Sequence, residues 1–155
     1  MLDHLRAFHA GDPYPPITED LEGQSATKFL VLSFGYLHGP LTRDPHSTLD
    51  LRKILHNPLH DLEMREKTGL ELEVQRHVMA TPGVDEIVET QVAAAVALYR
   101  HLDPQNLMTI LAIGCSGGRH RSVVIANRVA RALHRLTDET VAIEHRDVLR
   151  PVVQR

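Results

Sequence analysis

Two continuous apolar runs along the chain have the length of buried strands. One run, at 29–34, is followed by Gly35, and the other, at 107–113, is followed by Gly114. Uninterrupted runs of this kind are typical of parallel strands covered on both faces, and glycine often marks their end. Two shorter segments also favour strand structure, at 48–52 and 140–145.

Apolar residues recur at helical spacing in the segments between these strands. They predict helices at 70–79, 84–101 and 122–136, and Thr68 is the expected N-cap of the first. Because helices alternate with strands, the predicted fold class is α/β, a single layered domain with a mostly parallel sheet.

The first 27 residues differ in character from the rest of the chain. Prolines at positions 13, 15 and 16 remove backbone donors and restrict the residues before them, which disfavours both helix and strand. We therefore expect a flexible N-terminal extension at 1–27 and a folded domain at 28–155, a length that suits one domain.

Composition narrows the classes of function. The 155 residues have a formal net charge of −3 and include one cysteine and 11 histidines. A negative chain lacks the global positive field that attracts nucleic acids, and a single cysteine suits a reducing compartment. No apolar run is long enough to cross a bilayer, and a single cysteine excludes the Cys-x₂-Cys pairs of zinc fingers. We expect a cytoplasmic protein without membrane association, metal or cofactor.

The segment 114–122, Gly-Cys-Ser-Gly-Gly-Arg-His-Arg-Ser, lies between a predicted strand and a predicted helix. Such a unit presents free backbone N–H groups and the positive end of a helix dipole, and its glycines allow close approach of a ligand. The alternative is a tight turn with solvated arginines. We favour an anion site that holds a phosphate group and is built from Cys115, Ser116, Gly117, Gly118, Arg119, His120, Arg121 and Ser122.

The same segment contains a cysteine separated by five residues from Arg121 and Ser122, which resembles the signature of cysteine-dependent phosphatases. In those enzymes the thiolate attacks phosphorus while loop amides and the arginine hold the oxygens, which assigns these roles to Cys115 and Arg121. Gly114 stands where such enzymes usually have histidine, and no acid loop of the Trp-Pro-Asp kind is present. Phosphatase activity is therefore an alternative function.

With these segments in place, the chain resembles the C-terminal domain of the RapZ family of bacterial RNase adapter proteins. The resemblance runs from about residue 28 to the end, and the glycine loop is its most specific part. The matching stretches are 33–36, His38-Gly39, 49–52, Asn57-Pro58, Thr68-Gly69, 112–115, Gly117-Gly118, 120–123 and 145–147.

The resemblance implies an α/β domain that senses an amino-sugar phosphate, glucosamine-6-phosphate, and binds small regulatory RNA. The ligand contacts that it implies are Asp50, Arg52, Cys115, Ser116, Gly117, Gly118, His120 and Arg121. His38 joins this candidate set, and Asp50 would pair with a sugar amine or hydroxyl. The alternative for Asp50 is an ion pair with Arg52 or another nearby base.

Three functions follow from the sequence. The first is a non-catalytic sensor of a phosphorylated small molecule, the second is a small-RNA-binding adapter, and the third is the cysteine phosphatase. A basic face around His38, Arg43, Arg119 and Arg121 would carry RNA binding. The kinase-like half of the family, with its Walker loop, is absent from this sequence, so the ATP site of that half is not carried over to it. Homo-oligomerisation through the apolar helix 84–101 is a further expectation.

Overall fold

A computed structural model describes residues 26–102, 105 and 107–153 of the chain. Strands and helices alternate, with two short 3₁₀ turns at Tyr36–His38 and Pro58–His60. The strands are β1 (Phe29–Gly35), β2 (Ser47–Asp50), β3 (Thr109–Cys115) and β4 (Val141–His145). The α-helices are α1 (Leu72–Met79), α2 (Val84–Arg100) and α3 (Arg121–Thr137).

The four strands form one parallel sheet in the order β2-β3-β1-β4. The apolar runs became its two central strands, and all of β1 is buried, which is why neither run alternates with polar residues. Phe29 and Val31 pack into the larger core with the helices, whereas Leu30 and Leu32 belong to a smaller cluster. The predicted α/β domain with a parallel sheet is confirmed.

Helix α3 packs across the sheet and fixes the position of the loop before it. Its residues contact β1, β3 and β4, and its buried side chains include Val123, Val129 and Leu133. Helix α2 packs on α3, and the ring of Tyr99 on α2 lies 4.9 Å from that of Phe29, centroid to centroid. The N-terminus of α3 therefore lies at the carboxyl end of β3, the usual place for a ligand in a parallel sheet.

Two predicted boundaries were wrong. Gly114 does not end β3, because it pairs with both Phe34 and Asp50 and the strand continues to Cys115. A Cβ at Gly114 would lie 2.5 Å from the Phe34 ring, so glycine serves close packing there. Thr68 is not the N-cap of α1: its hydroxyl accepts a hydrogen bond from the N–H of Leu70, two residues before the helix begins.

One prediction falls mostly on residues outside the described part of the chain. This is the N-terminal extension, of which residues 1–25 are not described. Among the described residues, the search for a helix long and apolar enough to cross a bilayer found none.

Candidate functional site

The loop between β3 and α3 is built on a close approach of two backbones. Gly118 has a φ of 70°, which favours glycine, and a Cβ there would lie 2.4 Å from the backbone nitrogen of Gly35. A Cβ at Gly35 would lie 2.3 Å from the carbonyl carbon of Gly117. The end of β1 thus supports the loop from behind, while a Cβ at Gly117 would meet nothing within 4 Å.

Cys115 lies at the base of this loop with 3% of its surface exposed. Its sulfur accepts a hydrogen bond from the Gly118 N–H at 3.3 Å, and the Ser122 hydroxyl lies 3.1 Å away. The two contacts hold the loop and the start of α3 against the end of β3. These contacts stabilise the turn.

Arg121, the first residue of α3, has a buried guanidinium group. Its Nη1 donates to the carbonyl oxygens of Leu51 at 2.8 Å and Ile54 at 3.0 Å, with a longer contact to Arg52 at 3.3 Å. Burial lowers the pKa of Arg121 from its usual value. Carbonyl oxygens are neutral, and within the described residues no carboxylate forms a salt bridge with this side chain.

Arg119 also binds backbone carbonyls. Its Nε donates to Lys67 at 3.1 Å, its Nη1 donates to Arg150 at 2.9 Å and its Nη2 donates to Glu66. These bonds join the loop to two distant segments of the chain. Although Arg119 was predicted to hold phosphate, all three of its guanidinium nitrogens have protein partners.

His120 is buried beside Arg119, and its Nε2 lies 3.1 Å from the carbonyl oxygen of Arg65. Burial lowers the pKa of His120, and the positive charge of Arg119 lowers it further. The neutral imidazole is therefore the favoured form at neutral pH.

Asp50 and Arg52 form an ion pair with each other. The Nη2 of Arg52 lies 2.7 Å from Oδ2 of Asp50, and its Nε contacts both carboxylate oxygens at 3.1 Å. These hydrogen bonds from Arg52 lower the pKa of the Asp50 carboxyl group. The guanidinium carbon of Arg52 also lies 3.8 Å from the centroid of the Tyr36 ring. This is the ion pair that the sequence offered as the alternative role for Asp50.

Asp147 was assigned no role from the sequence, yet its carboxylate supports the loop from behind. It is fully buried, and its Oδ2 accepts a hydrogen bond from the Gly35 N–H at 2.8 Å. Arg146 and Arg150 pair with the same carboxylate at 2.8 and 2.9 Å. The stretch 145–147 was part of the family resemblance, but only the folded chain shows that Asp147 reaches the loop.

These elements enclose a cavity of about 430 Å³. Its lining includes three arginines and two histidines, and no carboxylate among the described residues. The residues that line it are Leu37, Arg52, Asn57, Leu59, His60, Cys115, Ser116, Gly117, Arg119, His120, Arg121, Pro151, Val152 and Val153.

The structure brings seven of the predicted ligand residues to this cavity: Arg52, Cys115, Ser116, Gly117, Arg119, His120 and Arg121. Four others do not line it. Asp50 pairs with Arg52. Gly118 and Ser122 are buried in the turn. His38 ends the 3₁₀ turn after β1. Sequence reasoning missed Asn57, His60 and the C-terminal residues 151–153. Among the described residues, no group of three or more metal-ligand side chains converges on a metal site.

Comparison with known proteins identifies the family of the chain. Residues 27–149 match a family described as the RapZ C-terminal domain. The chain belongs to this family.

Curated bacterial relatives match over most of the chain. Nucleotide-binding proteins of Leifsonia xyli and Saccharopolyspora erythraea are 35% and 37% identical to it over 82% of its length. A nucleotide-binding protein of Desulforamulus reducens is 35% identical over 84% of the chain. In each case the match covers 43% of the relative, so the chain spans less than half the length of these proteins.

Proposed function

We propose that this domain is a non-catalytic sensor that binds a phosphorylated small molecule in the cavity at the β3–α3 loop. The observation that carries the proposal is the charge of the lining, which combines Arg52, Arg119 and Arg121 with no described carboxylate. The N-terminus of α3 adds the positive end of its dipole at the same place.

The buried guanidinium of Arg121 gives the energetic reason for anion binding. A buried cation with neutral partners has lost hydration that carbonyl oxygens replace only in part. A phosphate group in the cavity would supply the missing negative charge. It would also accept hydrogen bonds from the loop amides and from Ser116, which lines the cavity beside the open face of Gly117.

The family resemblance suggests an amino-sugar phosphate such as glucosamine-6-phosphate as the ligand. The cavity of about 430 Å³ has the size of known small-molecule sites. Asn57 and His60 supply neutral or weakly basic groups suited to sugar hydroxyls. The names of the relatives, nucleotide-binding proteins, agree with a ligand that carries phosphate.

Isothermal titration calorimetry with glucosamine-6-phosphate, glucose-6-phosphate and inorganic phosphate tests the proposal. We expect binding of at least the hexose phosphates. Arg52→Ala should weaken that binding about tenfold, because a charge-assisted hydrogen bond contributes about 1.5 kcal/mol or more. Arg43→Ala is the matched control, since Arg43 is also an exposed arginine in an ion pair, with Glu144 at 3.8 Å, and it does not line the cavity. Absence of binding by all three compounds at millimolar concentration would reject the proposal.

The environment of Cys115 supports phosphatase activity as a second candidate. The Gly118 N–H and the Ser122 hydroxyl both reach its sulfur, which lines the cavity beside Arg121. In this reaction the sulfur would attack phosphorus and displace the alcohol. The departing alcohol oxygen needs a proton donor. The described lining offers histidine for this role but no carboxylic acid. Turnover of an aryl phosphate by the wild type, lost in Cys115→Ser, would establish it. An inactive wild type would exclude it.

A further inference from the structure

Residues 151–153 contribute an apolar part of the cavity lining. Pro151, Val152 and Val153 follow one another along the chain, and all three border the cavity together with Leu37 and Leu59. We call these five residues the apolar side of the lining, and the β3–α3 loop with its arginines the charged side.

The apolar side is anchored at Arg150. The Arg150 carbonyl oxygen accepts a hydrogen bond from Nη1 of Arg119 at 2.9 Å. The Nε of Arg150 pairs with the buried carboxylate of Asp147 at 2.9 Å. Beyond Arg150, no backbone or side-chain hydrogen bond joins 151–153 to the described part of the chain. Val152 and Val153 are half-buried, and neither belongs to a core cluster. Both valines line the cavity.

We propose that Val152 and Val153 determine ligand specificity by packing against the carbon skeleton of a phosphate ester. This inference rests on the proposed function, since it assumes that the phosphate group occupies the loop. Arg119 contacts both parts of the site, because it belongs to the loop and holds the carbonyl of Arg150. The apolar segment is thereby fixed at a set position relative to the bound phosphate.

The arrangement defines the class of ligand. Inorganic phosphate fills the charged side only and leaves the two valines in contact with solvent. An ester with a compact skeleton, such as a hexose phosphate, places C–H groups against them and removes apolar surface from water. The cavity should therefore prefer phosphate esters to free phosphate, and the preference should depend on the two valines.

The test compares two probes by calorimetry, glucosamine-6-phosphate and inorganic phosphate, on the wild type and on the double variant Val152→Ser/Val153→Ser. We expect the wild type to bind the ester more tightly. The double variant should lose about five- to tenfold in affinity for the ester, whereas its affinity for phosphate should change less than twofold. Leu149→Ser is the matched control, because Leu149 is 83% exposed and does not line the cavity. It should leave both affinities unchanged.

Each other outcome contradicts the inference. Equal weakening of both probes in the double variant would mean that the valines only support the loop. Unchanged ester binding, or a wild type that binds the two probes equally, would show that the segment does not contact the skeleton, while phosphate binding itself would still stand. Failure of both probes to bind the wild type would reject the proposed function together with this inference. Thermal unfolding of each variant verifies that it is folded, and Val152→Ala/Val153→Ala provides a second, milder pair.

Discussion

The guanidinium group of Arg121 is a buried cation with neutral partners. Its carbonyl contacts with Leu51 and Ile54 hold the segment after β2 against the start of α3. No described carboxylate forms a salt bridge with it. Burial lowers its pKa and the charge of Asp50 offsets only part of that effect, so the site suits an anion. Arg121 can therefore support the fold and bind a ligand at the same time. From the sequence alone, only the ligand-binding role was predicted.

Gly118 and Gly117 make a matched pair for a test of the loop. Gly118→Ala should lower the free energy of unfolding by roughly 2–4 kcal/mol, because alanine is strained at positive φ and its Cβ would meet the backbone of Gly35. Gly117→Ala should have little effect on stability, since its Cβ would meet no atom within 4 Å. Urea denaturation measures both, and equal losses in the two variants would contradict the packing described for Gly118.

At the level of elements, a buried polar chain links β1, β4 and α3. The Ser33 hydroxyl lies 2.6 Å from Nδ1 of His145, and Nε2 of His145 lies 3.1 Å from Oδ1 of Asn127. Burial lowers the pKa of His145 to about 4, against about 6.5 for an exposed histidine. The three elements thus require a neutral imidazole where they meet.

This requirement predicts how stability depends on pH. Between pH ~6.5 and ~4 the unfolded chain binds more protons than the folded one, so the free energy of unfolding falls as the pH is lowered through this range. His145 contributes at most about 3 kcal/mol to that loss, and buried His120 adds to it in the same direction.

Urea denaturation at a series of pH values measures the effect. His145→Gln should flatten part of the slope between pH ~6.5 and ~4. His101→Gln, at an exposed position next to the end of α2, should leave the slope as it is in the wild type. A slope unchanged by His145→Gln would contradict the role given to this histidine.

For the molecule as a whole, the net charge of −3 contrasts with the positive charge concentrated in one cavity. The residues predicted to form a basic face for RNA are not all exposed. Arg121 is buried, Arg119 binds carbonyl oxygens, and Arg43 lies 3.8 Å from Glu144. We therefore expect the folded domain to prefer a small anion to an extended polyanion.

Gel-shift titration with a structured small RNA tests this preference. We expect weak binding already at about 50 mM salt and only a shallow further fall by about 200 mM, because few arginines and lysines are available to neutralise phosphates and the salt dependence scales with their number. Submicromolar binding that persists at 200 mM salt would contradict this expectation and favour the adapter function.

The sequence by itself determined the elements of this protein. The apolar runs became β1 and β3 to within two residues, and the helical periodicity located α2 and α3 to within one residue at each end. These features are local, because burial on both faces of a strand or on one side of a helix is recorded in neighbouring residues. The loop after β3 was identified for the same reason, since its glycines and basic residues are contiguous.

Only the tertiary structure decided what each side chain of the site contacts. Arg121 meets carbonyls about 70 residues earlier in the chain, Arg119 meets Arg150, and Asp147 supports Gly35. Such contacts form because parallel crossover connections bring the ends of distant strands to one edge of the sheet. No local sequence pattern shows which distant residues will meet there. For the same reason the sequence could not show that Val152 and Val153 border the cavity. The pairing of Asp50 with Arg52 is local, and the sequence left it open as one of two roles for Asp50.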